Sequence, residues 1–310
     1  MVDWAQVRMA HLCEKLDCSE FSRLPLPILP TAVRDFLKVV DQPDCDVRHA
    51  AGIVESDAGL SCELLRTVNS NGYGVKQRIA SVHHAVAVLG VRRTKLVVMT
   101  TALRNALPIR KTRLINIAAF WNANLERACF ARRMARLLRV DQELAFSGAL
   151  LQDFLLPALT NRYEDVYVEF LRQRQRQRVE LSEFERHELG WSHGEVAACL
   201  MHHWGFPDDL ICCVLLHHRG LETLADEELR NTAVAACAVS SLLPDPLRQS
   251  PHGLRQLKQL GSVWDGLNLS GVAEAAFGDF QKLAFDSTNH VSFCELLNAC
   301  RCRTPEPCPQ

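Results

Sequence analysis

Histidines crowd into one stretch of this sequence, HGEVAACLMHHWGFPDDLICCVLLHHRG (193–220), and an aspartate, Asp153, closes GALLQD upstream of it. If Pro207 opens a helix, Leu210, Val214 and His217 fall on one line, and Ile211, Leu215 and His218 on the next. Both terminal histidines then lean toward the apolar side. The preceding helix buries Val196, Cys199, Leu200 and Trp204, with His202 and His203 beside that face and His193 near its start as a cap or ligand. At helical spacing Asp153 shares a face with Phe146, Ala149 and Leu150. An acid and several histidines therefore converge on one interior. Burying an unpaired carboxylate costs several kcal/mol. The convergence implies either a divalent-metal site, for which Asp and His are suitable donors, or a hydrogen-bonded cluster that holds helices together.

Other residues have plainer explanations. Trp121 and Trp204 read as core anchors, Cys212-Cys213 as helix packing, and His83-His84 as an exposed helix start. Asn69-Ser70 with Gly72 and Gly74 reads as a helix stop before an anion nest. In RQRQRQR (172–178) alternate arginines fall on opposite sides of a helix, so the run makes no single basic stripe.

The elements that position these residues are helical throughout. Leu60, Leu64, Leu65 and Val68 form one stripe; Leu144, Ala145, Ala149 and Leu150 form another. No run alternates as a strand would, which predicts an all-α protein. LPLPILP (24–30) is an extended lead-in with Thr31 as the following N-cap. Asp44 or Asp46, then Ser56 or Asp57, cap the next two helices, NSNGYG (69–74) closes one, and Ser81 opens a helix that ends at Gly90. Breaks at ALPIRKTR (106–113), WGFPDD (204–209) and LLPDPLRQSPHG (242–253) divide the chain. The expected units are an extension over 1–20, an N-terminal helical bundle over 21–110, a second bundle over 111–245, and a C-terminal extension with a frayed tail over 246–310.

Composition narrows the function. The chain has 310 residues, 48% hydrophobic and 23% charged, with a net charge of −1 and a pI near 6.9. A nucleic-acid or membrane-surface protein usually carries a basic excess, so neither partner is expected. The N-terminus lacks a signal peptide pattern and no window reads as a membrane span, which predicts a cytoplasmic protein. The 13 cysteines sit mostly in apolar helical patterns (Cys62, Cys129, Cys199, Cys212, Cys213, Cys237) and read as buried free thiols. Cys300, Cys302 and Cys308 lie in a proline-bearing tail and read as fraying, not as a metal clip.

LPLPILP, SDAGLSCELLRTVNSNGYG, IASVHHAVAVLGV, Phe120-Trp121, AFSGALLQD and HGEVAACLMHHWGFPDDLICCVLLHH, in that order, resemble the HDOD (HD-related output domain) family of bacterial regulatory proteins. The likeness spans roughly residues 21 to 220, with Ala58 standing where proline is expected. The resemblance implies a second bundle of HD type, related to metal phosphohydrolases but non-catalytic. In the catalytic relatives a histidine follows the aromatic pair, and Ala123 occupies that slot here. The relatives' His-Asp dyad falls on Gln152 and Asp153, and a later helical aspartate falls near Val239.

With Ala123 and Gln152 in ligand slots, the metal set is incomplete, so no catalytic residue, metal or cofactor is expected. Asp153, His193, His217 and His218 are the vestigial or alternative-site candidates. The expected function is a regulatory signal-transduction module that meets a partner protein in trans. Two alternatives stand beside it. One is a phosphohydrolase or cyclic-nucleotide phosphodiesterase with a rearranged site, in which Arg127 or Arg132 reaches a phosphate. The other is a nucleotide or second-messenger sensor without turnover.

Overall fold

A computed structural model describes residues 2–12, 31–40, 46–69, 78–106, 112–244, 247, 251–284 and 290–299, with backbone alone for 31, 34, 103–106, 251, 298 and 299. LPLPILP, Asp44, Ser70 to Gly74, most of the 106–113 break, much of the 242–253 break and the cysteine tail lie outside those residues. The described residues are helical and contain no strand, as the 3.6-residue periodicity predicts.

Two apolar cores organise the helices. The smaller gathers Phe36 from α2 (Thr31–Val40), Val54 from α3 (Val47–Glu55), Leu60, Leu64 and Val68 from α4 (Ala58–Val68), and Val86 from α5 (Val82–Ala106). Asp46 caps α3 by accepting the Arg48 N–H, and Asp57 caps α4 by accepting the Leu60 N–H. Asn69 closes α4: its amide donates to the carbonyls of Leu65 and Ile79, and its oxygen accepts the Ile79 N–H. The helix opened by Ser81 breaks at Gly90, where φ is 74° and ψ 163°, a conformation that favours glycine. Beyond the break α5 is a shared wall. Val98 and Ala102 join the smaller core, while Leu96 and Met99 join the larger.

The larger core is built on α6 (Ile117–Leu138), which packs along α7 (Gln142–Leu151), α14 (Ala233–Ser240) and α16 (Leu269–Leu283). Val7 from α1 (Trp4–His11) and Phe293 and Leu297 from α17 (Phe293–Ala299) belong to the same cluster. The C-terminal helices are therefore part of the main core. Glu126 on α6 holds them: its Oε2 lies 2.6 Å from His290 Nε2 and its Oε1 accepts the Phe293 N–H at 3.0 Å.

Close packing of α7 against α12 (Asp208–Leu215) depends on Gly148. A Cβ there would stand 2.4 Å from Cys213 Cβ. Trp121 and Trp204 are both half-buried against the larger core, and Trp204 also touches the smaller one. His83 and His84 are exposed. Arg172 and Arg174 lie on α9 (Glu164–Arg176), where Arg174 donates to the Leu247 carbonyl and Arg172 pairs with Glu169. Cys129, Cys212, Cys213 and Cys237 are buried free thiols, and burial pushes Cys129 and Cys212 up to about 12. Two cysteines depart from that expectation. Cys62 is free but exposed, on the outer side of α4, and Cys199 is disulfide-bonded.

Candidate functional site

Asp153, His193, His217 and His218 meet in the interior of the larger bundle, each offering an atom within 4.8 Å of the others'. They arrive by a different local route from the one the periodicity predicts. Helix α7 ends at Leu151 and Asp153 lies in the turn that follows, where Phe154 and Leu156 N–H groups bond back to Leu151 and Asp153. Likewise α12 ends at Leu215, and His217 and His218 sit in a 3₁₀ turn over His217–Arg219. The two rings lie with their centroids 3.9 Å apart. His193 is the first residue of α11 (His193–His203) and does not cap it. Ser192 does, in a reciprocal capping box with Glu195.

Distances across the cluster are short. His193 Nε2 lies 3.1 Å from Asp153 Oδ1 and 3.0 Å from His218 Nε2, and His217 Nε2 lies 3.4 Å from the same Asp153 oxygen. Asp153, His193 and His217 are fully buried and His218 is half-buried. The far nitrogen of each inner histidine is fixed. His193 Nδ1 donates to Glu185 Oε2 at 2.6 Å, and His217 Nδ1 donates to the Val214 carbonyl at 2.6 Å. Both rings consequently aim Nε2 at Asp153.

Glu185, on α10 (Leu181–Leu189), is itself buried and held in place. Its Oε1 accepts the Tyr167 hydroxyl at 2.7 Å, and its Oε2 also accepts the His193 backbone N–H at 2.9 Å. Burial opposes charge on His193, but Glu185 and Asp153 together outweigh it and raise the imidazole to about 9. Tyr167 is driven well above its usual range by burial and by the neighbouring Glu185 charge.

The outer oxygen of Asp153 faces a cation supplied by the chain. Arg127 Nη1 donates to Asp153 Oδ2 at 3.1 Å and to Asn124 Oδ1 at 2.7 Å, while Nη2 donates to the Leu243 carbonyl at 3.1 Å. Gln152 Nε2 adds a donor to the same Oδ2 at 3.2 Å. The Arg127 and Asp153 side chains are both 0% exposed. This corrects the expectation that Arg127 reaches a phosphate. Its guanidinium is spent on Asp153, because a carboxylate at that depth requires a counter-charge. Arg132 is likewise committed, to Glu143 at 2.9 Å and over the Phe146 ring.

The positions that the resemblance aligns with ligand slots hold apolar or amide side chains that belong to this arrangement. Ala123 is buried on α6 one turn before Arg127, and Val239 is buried on α14, whose end closes the site where Ser241 Oγ donates to the His217 carbonyl. His202 and His203 are exposed and stay outside the cluster. Sequence reasoning missed Glu185, although LSEFERHEL places that acid one turn from Leu181 and beside Phe184 on an apolar face. Glu126 and Asn124 gave no comparable signal. They stand among charged and small residues whose burial depends on helices distant in sequence.

The donor set can be tested against a metal. Two ions bridged by Asp153 do not fit, since Arg127 and Gln152 already hold Oδ2. One ion on the inner side does fit, facing Oδ1 and three imidazole nitrogens.

Comparison with known proteins agrees with this architecture. The HDOD domain matches residues 26–220. An uncharacterized protein of Treponema pallidum (strain Nichols) is 20% identical over 196 residues, which are 62% of this chain but only 37% of that protein. A Shewanella amazonensis SB2B crystal structure, provisionally named a phosphohydrolase, superposes with a TM-score of 0.62 at 22% identity, covering 86% of this chain and 98% of that one. A Marinobacter aquaeolei VT8 structure, provisionally named a signal transduction protein, gives 0.55 at 20% identity, covering 90% and 62%. At such identities the structures establish shared fold, while the domain match establishes kinship: the chain belongs to the HDOD domain family.

Proposed function

We propose that this chain is a non-hydrolytic regulatory module that acts by engaging a partner in signal transduction. The observation that carries this reading is Arg127 Nη1 on Asp153 Oδ2 at 3.1 Å, with both side chains fully buried. A two-metal hydrolytic centre would need room for an ion on each side of that carboxylate, and metal-assisted hydrolysis of any kind needs an open position for water. Here a guanidinium holds the second ion's side of the carboxylate, and Gln152 and Ala123 replace nitrogen ligands with groups that bind metal poorly. The name carried by the Marinobacter relative supports a signalling role; the name carried by the Shewanella relative, a phosphohydrolase, is the reason hydrolysis is the activity to test.

The test is turnover of bis(p-nitrophenyl) phosphate and of cyclic nucleotides by full-length protein supplied with zinc or manganese, beside an Asp153→Asn variant. The expected rate is the same low background for both. Turnover that disappears in the variant would contradict the proposal.

A further inference from the structure

The inner side of Asp153 carries a geometry that the regulatory reading leaves unexplained. Zinc bonds to imidazole nitrogen and carboxylate oxygen of about 2.0–2.1 Å place tetrahedral ligand atoms about 3.3–3.4 Å apart. Three edges of the cluster already lie near that value: 3.1 Å from His193 to Asp153, 3.0 Å from His193 to His218 and 3.4 Å from His217 to Asp153. The remaining edges do not exceed 4.8 Å. A shared proton can bridge one such pair, but a cation at the centre serves all four atoms at once.

The supporting contacts point the same way. Glu185 on His193 Nδ1 and the Val214 carbonyl on His217 Nδ1 fix both rings with Nε2 inward. A carboxylate or carbonyl behind a histidine is the arrangement that orients metal ligands and raises their basicity. Tyr167 in turn fixes Glu185. On the other side Arg127 and Gln152 keep Asp153 Oδ2 occupied, leaving Oδ1 as a one-oxygen ligand. His218 is half-buried and offers an entry side.

From this we infer that Asp153, His193, His217 and His218 form a closed, single-ion zinc site that ties the turn after α7, the start of α11 and the end of α12 together. Four protein donors complete the tetrahedron and leave no position for water, so the ion is structural. In that last respect the inference rests on the non-hydrolytic reading.

Chelator-stripped full-length protein titrated with cobalt(II) tests it directly, since four-coordinate cobalt has intense visible bands and six-coordinate cobalt weak ones. The expected result is a tetrahedral spectrum complete at one equivalent, abolished by added zinc, with no thiolate charge-transfer band. His218→Ala alters a half-exposed ligand and should keep its far-ultraviolet circular dichroism while losing at least tenfold in affinity. Glu185→Gln should weaken binding by about 10- to 100-fold without touching the ion. A weak six-coordinate spectrum, a thiolate band, or affinity unchanged in both variants would overturn the site. The two readings fail separately. Zinc-dependent hydrolysis by loaded protein would sink the non-hydrolytic function and leave the ion in place, whereas absence of the cobalt signature would sink the site and leave the function.

Discussion

Arg127 is the residue on which both the stability and the chemistry of the interior turn. It is fully buried, and Asp153 beside it is equally shielded from bulk solvent. Removing one partner of such a pair is expensive because the other is stranded in a low-dielectric interior. Arg127→Met should cost about 3–5 kcal/mol in urea unfolding. The double variant Arg127→Met/Asp153→Asn should cost less than the sum of its parts, because it removes the stranded charge as well. Additive losses would show that the two side chains do not depend on each other. The sequence displayed Asp153 and the histidines, since each lies at a helix end among apolar residues. It did not display Arg127's role. Arg127 lies in LERACFARR, where several arginines look equally exposed, and only the arrival of α7 and the Leu243 carbonyl selects one of them.

At the scale of elements, the site is a meeting of helix ends, and capping and close approach determine where those ends lie. Asp141 caps α7 by accepting the N–H groups of Glu143 and Leu144, and it pairs with Arg92 from α5. Burial pushes its carboxyl upward, but those amides and Arg92 outweigh burial and hold it below the usual 3.8. A carboxyl lowered by folding stabilises at neutral pH, and the contribution is lost as pH falls through its lowered value. Asp141→Ala should therefore destabilise by about 1–2 kcal/mol at pH 7, with the gap to wild type closing in acid unfolding curves below pH 3.8. A gap constant with pH would contradict the assignment. Gly148→Ala tests the approach of α7 to α12: a Cβ 2.4 Å from Cys213 Cβ must push the helices apart. Overpacking of this kind costs about 1–3 kcal/mol in thermal unfolding. Helix positions were legible from periodicity, and the caps Asp46 and Asp57 from residue type. The 3₁₀ turn at His217–Arg219 was not, because LLHHRG carries no glycine or proline until Gly220 to mark the change of winding.

Across the whole molecule, the family match ends at residue 220, while the main core continues through Phe280, Phe293 and Leu297. The segment read as a C-terminal extension supplies a covering layer on α6, latched by Glu126 through His290 and the Phe293 amide. Glu126 and Arg127 are neighbours on one helix, so the helix that receives the C-terminal layer also supplies the cation for Asp153. Glu126→Ala should lower stability by about 1–3 kcal/mol, since the Phe293 N–H and His290 lose a buried acceptor; no change in urea unfolding would show that apolar contacts alone hold the layer. This covering was illegible in the sequence because its pairing spans residues 126 and 290, and no local pattern reports so distant a contact. No helix among the described residues is long and apolar enough to cross a membrane.

The central claim is that Asp153 faces a fixed guanidinium on one side and room for a single ion on the other. Native mass spectrometry of the full-length protein in excess zinc, beside Asp153→Asn, counts the ions that depend on that carboxylate. A difference of one ion per chain is the predicted result. A difference of two would mean that Arg127 yields its place to a second metal and that a hydrolytic centre can assemble. A difference of zero would leave Asp153 as a partner of Arg127 and the histidines alone.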